Sequence, residues 1–170
     1  MAQKVDVGEL TKPVDSVTFC LSKGLCAPVG SVVCGTKEFI KKGLRVRKML
    51  GGGMRQAGIL AAAGIVALEK MTIRLSEDHL RATRLAEGLS AIPGIKFEMG
   101  MPQSNMVFPS LSDEVKPAAN DIAVRLAGLG VKVGVVARRR FRLVTHYWIT
   151  DEDIAYTVQA FGKALSVQCI

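Results

Sequence analysis

Aromatic side chains are scarce in this chain: Phe, Trp and Tyr make up 5% of its 170 residues, with a single Trp. Surfaces that stack nucleic-acid bases interleave aromatic with basic residues, and no such interleaving occurs here. Histidine is present only as His79 and His146, and the four cysteines, Cys20, Cys26, Cys34 and Cys169, show no Cys-x-x-Cys spacing. A zinc module is therefore excluded, no metal is expected, and the cysteines read as free thiols of a reducing compartment. The longest apolar run, 57–68, is about 12 residues, short of the roughly 20 that cross a bilayer. Met1-Ala-Gln-Lys4 lacks the apolar stretch of a secretory signal. The expected setting is cytoplasmic, with a mitochondrial one as the alternative, and neither membrane nor nucleic acid is an expected partner.

What the chain does have is apolar mass and positive charge. Hydrophobic residues account for 49%, enough to bury a core and to exclude wholesale disorder. The net charge is +8. The basic residues cluster at Lys41, Lys42, Arg45, Arg47 and Lys48 and again at Arg138, Arg139, Arg140 and Arg142. An anionic small molecule accounts for two such clusters at least as well as a nucleic acid does.

Periodicity predicts strands over Ser16–Leu21 and Ser31–Cys34, then a helix from an N-cap at Thr36 to Met49, ended by Gly51-Gly52-Gly53. Three glycines inside a helix would cost about 1 kcal/mol each. Further helices are predicted over 54–69 and 73–89, the latter with Leu75, Leu85 and Leu89 inward and Glu77, Asp78, Arg81 and Arg84 outward. Beyond Pro93-Gly94 the pattern predicts strands over 95–99 and 105–109, a helix over 118–129, strands over 131–136 and 141–145, and a closing helix capped by Thr150.

Three constellations bear on chemistry. Lys23 follows an apolar β-type run and precedes a glycine, which delivers its amine at a strand end. Desolvation there favours the neutral amine, the form that makes a Schiff base with an aldehyde; a solvated turn lysine is the plain alternative. Gly51-Gly-Gly-Met-Arg55, at the predicted start of a helix, is either an anion-binding turn or a connector. Arg142 sits among apolar Phe141, Leu143 and Val144, where it meets either a carboxylate ligand or a structural ion pair. The polar pair Ser104-Asn105 and the residue His146 read as structural, and Arg138–Arg140 as a solvated turn.

The run from Val14 through Lys23 to Ser31, followed by Arg47-Lys-Met-Leu-Gly-Gly-Gly-Met-Arg-Gln-Ala-Gly58, closely resembles the L-threonine aldolases of low-specificity type, fold-type I pyridoxal-phosphate (PLP) enzymes. The similarity continues to about Phe161 and covers the C-terminal half of that family's pattern. Cys26 stands where the family has glycine, and Tyr147-Trp148 departs from its His-x-Asp ending.

The resemblance implies an α/β fold, the end of the large PLP domain (1–70), a connecting helix (71–92) and a small C-terminal α/β domain (93–170). It implies that Lys23 is catalytic and carries PLP, that Lys48 and Arg55 lie by the cofactor phosphate or substrate, and that Arg142 binds the substrate carboxylate. The implied activity is cleavage of L-threonine or L-allo-threonine to glycine and acetaldehyde, with a homo-oligomer, a tetramer in the family, as the assembly. The phosphate loop, the ring-stacking histidine and the ring-nitrogen aspartate of the family have no matching positions, so a truncated form is expected, with weak activity alone. Two alternatives stand beside this reading: a β-eliminating amino-acid lyase of the same fold type, and a non-catalytic remnant that pairs with a full-length subunit.

Overall fold

A computed structural model of the protein describes residues 2–166. It resolves into two compact units, Gln3–Leu75 and Ser76 onward. Cys169 lies outside the described residues.

In the first unit, a short helix α1 (Val7–Thr11) is capped by Asp6, whose carboxylate accepts the Gly8 N–H at 2.8 Å. Strands β1 (Ser16–Cys20) and β2 (Ser31–Gly35) pair antiparallel, with Val17 opposite Cys34 and Cys20 opposite Ser31. Thr36 then caps α2 (Lys37–Met49), its hydroxyl accepting the Phe39 N–H at 3.2 Å. Helix α3 (Gly58–Val66) runs into a π-helical segment, Ala67–Met71. Gly64 faces the β1 end so closely that a Cβ there would lie 3.0 Å from Leu21 Cδ1. This unit buries only a small apolar cluster of Leu21, Ala27 and Ala67.

The second unit is built around β7 (Arg140–Val144). One edge of β7 takes Met106 opposite Val144, Val107 opposite Leu143 and Ser110 opposite Arg140, a single register split into β4 (Met106–Val107) and β5 (Ser110–Leu111). The break falls at Pro109, which lacks an N–H and contributes only its carbonyl, accepting from Phe141 N at 2.9 Å. The continuous strand expected over 105–109 is thereby replaced by two short ones. β3 (Ile95–Lys96) continues the sheet beyond β5, and β6 (Gly134–Ala137) pairs with the other edge of β7.

Helices α4 (Leu75–Ser90), α5 (Ala119–Gly128) and α6 (Asp151–Ser166) supply the apolar side chains that meet the sheet in one core. At its centre Phe141 and Phe161 meet edge to face, centroids 5.4 Å apart. α6 opens on a reciprocal cap in which Thr150 N donates to the Asp153 carboxylate and Asp153 N to the Thr150 hydroxyl. On α4, Asp78 is fully buried rather than outward, and its backbone carbonyl accepts the Thr145 hydroxyl at 2.6 Å. Arg139 and Arg140 are not solvated turn residues either. Arg139 donates to the carbonyls of Leu111, Ser112 and Val115, and Arg140 pairs with Glu98 at 2.8 Å.

Candidate active site

The Lys23 segment is a loop closed at its base. Leu21 N donates to Gly30 O at 2.9 Å and Ala27 N to Leu21 O at 3.0 Å, while Leu21 itself is buried. Within the loop, Cys26 N donates to Lys23 O at 2.9 Å, a tight turn with Lys23 at its first position. Cys26 closes that turn in the left-handed region, φ 58°, a conformation that favours glycine and strains a residue with a Cβ. The Lys23 side chain is exposed. The cover that the apolar run before Lys23 predicts is not seen among the described residues: the apolar cluster at this loop holds Leu21, Ala27 and Ala67 and leaves Lys23 outside it.

Lys48 lies in the last turn of α2. Gly51, at φ 82°, and Gly52 end that helix by donating to Lys48 O at 3.1 Å and Arg47 O at 2.8 Å. These are the paired bonds of a Schellman cap, for which a glycine in the left-handed region is the favoured residue. Gly53 continues along the stem of Lys48, where a Cβ would lie 3.3 Å from Lys48 Cγ. The N–H groups of Gly51 and Gly52 are thus spent on α2. Moreover α3 begins at Gly58, after Gln56 at φ 51°. The expected helix start at Met54, with a free glycine turn before it, is replaced by a C-cap and a bend. Arg55 is exposed in that bend.

Arg142 belongs to the second unit. Along β7 the side chains alternate, so Phe141 and Leu143 enter the core and Arg142 lies on the outer face, exposed. Gly134 is its cross-strand partner on β6 and presents no side chain beside it. Arg142 also borders a cleft of about 140 Å³, lined among others by Lys132, Thr145, Asp153 and Thr157. Among the described residues no carboxylate forms an ion pair with Lys23, Lys48, Arg55 or Arg142. Each therefore keeps its charge available to a ligand.

Two further residues fix the strand that carries Arg142. Asn105 Nδ2 donates to Thr145 O at 2.9 Å, and Thr145 N returns a bond to Asn105 O at 3.0 Å. His146 Nδ1 accepts the Trp148 N–H at 3.3 Å, and Tyr147 and Trp148 meet edge to face, centroids 4.9 Å apart. Among the described residues no group of acidic, cysteine and histidine side chains is arranged to hold a metal, and no helix is long and apolar enough to cross a membrane.

The family model for beta-eliminating lyases matches residues 1–112. Low-specificity L-threonine aldolase 1 of Arabidopsis thaliana is 42% identical over 165 residues, covering 97% of this chain and 46% of its own length. Low specificity L-threonine aldolase of Escherichia coli K12 is 39% identical over 155 residues, covering 91% of this chain and 44% of its own. Among solved structures, a putative L-allo-threonine aldolase of Listeria monocytogenes superposes with a TM-score of 0.78 at 18% identity, over 96% of this chain and 48% of that one. The chain spans about half the length of the curated relatives it matches, in their C-terminal half.

Proposed function

Since the chain belongs to the beta-eliminating lyase family, we propose that it is the C-terminal half of a PLP-dependent aldehyde-lyase that cleaves L-threonine or L-allo-threonine to glycine and acetaldehyde. The observation that carries this reading is the Lys23 loop: an unpaired primary amine on a turn pinned at its base by Leu21 and Gly30. The similarity to named threonine aldolases over nearly the whole chain supports it.

The donor set fits the cofactor. PLP carries an aldehyde and a phosphate, and the first unit offers the Lys23 amine together with the unpaired cations Lys48 and Arg55 flanking the glycine bend. When bound, PLP supplies an electron sink for the electrons of a bond broken at Cα. Lys23 Nζ would hold the aldehyde, and Lys48 and Arg55 would balance the phosphate charge. Arg142, on β7 of the second unit, would take the substrate carboxylate, which its planar guanidinium suits. His146 already accepts a backbone N–H at Nδ1, and His79 lies within α4, so neither is assigned the proton of the substrate hydroxyl. The enzyme is read as a cytoplasmic homo-oligomer.

Borohydride reduction in the presence of PLP, followed by peptide mapping, tests the site. Label on Lys23 supports it, and label on another lysine with Lys23 unmodified overturns it. The chain alone is expected to bind PLP weakly and to release little glycine. A second reading, β-elimination, is favoured by the description of the matching family. Product analysis separates glycine plus aldehyde from pyruvate plus ammonia.

A further inference from the structure

The cleft of about 140 Å³ in the second unit has a polar lining that the fold itself only partly uses. Lys132 borders it from the loop before β6, and Asp153 and Thr157 border it from α6. Lys132 and Asp153 carry opposite charges on one small space. They form no ion pair with each other or with any other described residue. Asp153 Oδ2 accepts from Thr150 at the helix cap, which leaves Oδ1 without a donor among the described residues. The Thr157 hydroxyl has no partner among them either.

The main chain adds to this lining. Along β7, Phe141 and Thr145 turn their N–H groups to Pro109 and Asn105, so the alternating residues Arg142 and Val144 turn theirs to the β6 side. Arg142 stands opposite Gly134, the first residue of β6. The next rung would set Val144 opposite Lys132, yet residues 131–133 return no hydrogen bond to it. The Val144 N–H and C=O therefore open on the cleft that Val144 lines, one donor and one acceptor available to a ligand.

We infer that this cleft binds a free small α-amino acid. The ligand's ammonium is met by Asp153 Oδ1 and the Val144 carbonyl, its carboxylate by the Lys132 ammonium and the Val144 N–H, and a β-hydroxyl by Thr157. A ligand with one charge only leaves Lys132 or Asp153 unanswered. Size agrees. A cavity of roughly 150 Å³ holds a benzene-sized molecule, so about 140 Å³ suits the few heavy atoms of glycine or threonine. Arg142 stands at the edge of the cleft and keeps the substrate role proposed above. The inference does not rest on that role, on PLP or on lyase activity.

The test uses the chain without PLP, titrated with glycine and with L-threonine and followed by amide chemical shifts in NMR. Saturable shifts centred on Lys132, Val144 and Thr157 are expected for both. Acetate and methylamine, each with one of the two charges, bind about tenfold or more weakly than glycine. Lys132→Met and Asp153→Asn each weaken binding by about tenfold or more, with circular dichroism unchanged, since asparagine still accepts from Thr150. Lys163→Met, on α6 outside the cleft, leaves it intact. Shifts that never saturate, or that persist in both cleft variants, overturn the inference. So does acetate binding as tight as that of glycine, which makes the cleft a simple anion site. Binding lost in Arg142→Lys and kept in Lys132→Met puts the amino acid on the substrate arginine and also overturns it. A chain that binds glycine in this way while PLP labels no lysine sinks the lyase reading and leaves the cleft standing.

Discussion

The Thr145 hydroxyl donates to the Asp78 backbone carbonyl at 2.6 Å, joining the end of β7 to α4 across 67 residues of sequence. Both residues are buried, and the strand they anchor is the one that carries Arg142. Thr145→Val keeps the shape and removes the donor. It is expected to lower stability by about 1 kcal/mol, read as a shift in the denaturation midpoint at constant slope.

Cys26 offers a test of opposite sign. At φ 58° it holds a conformation that costs a residue with a Cβ roughly 1–2 kcal/mol. Glycine gives back part of that through its greater freedom in the unfolded chain. Cys26→Gly is expected to raise stability by up to about 1 kcal/mol, and Cys26→Val to lower it. Urea melts of the variants side by side decide the matter, and a Val variant as stable as wild type would contradict the strained turn.

Acid sensitivity centres on Glu98. Hydrogen bonds from Lys96 and from Arg140 hold its carboxyl down at about 2, below its ordinary 4.5. The folded value is the lower one, so the stability it contributes is present above the ordinary carboxylate range and lost as pH falls from about 4.5 toward 2. The hydrogen bond to Glu98 raises Lys96, so its contribution is present below 10.5 and lost as pH climbs through the raised value. Thermal melts of wild type and Glu98→Gln are expected to differ at pH 6 and to converge near pH 2.

The proposed role of Arg142, on β7, is to bind the substrate carboxylate. In the assembled enzyme Arg142→Lys keeps the charge and loses the fork. About 1.5–3 kcal/mol of charged hydrogen bonding is at stake, so kcat/KM for threonine is expected to fall by about ten- to a hundredfold. An unchanged kcat/KM, with folding intact, removes Arg142 from the site.

Much of this structure was legible residue by residue. The Thr36 and Thr150 caps, the strands flanking the Lys23 loop and the glycine stop after Met49 all rest on local chemistry that a sequence displays directly. α1 was missed although Asp6 and Glu9 form a capping pattern, because five residues make too short a period to register. The burial of Asp78, the carbonyl grip of Arg139 and the split of a strand at Pro109 depend on partners distant in sequence. For the candidate site, the departure at Cys26 marked the strained turn in advance. The exposure of Lys23 was not legible, since the apolar run before it says nothing about what covers its amine.

The unequal burial of the two units has a consequence for how the fold comes apart. The unit with three buried apolar residues in its cluster is expected to open at milder denaturant than the unit with fifteen, so amide protons of β1 and β2 exchange ahead of those of β7.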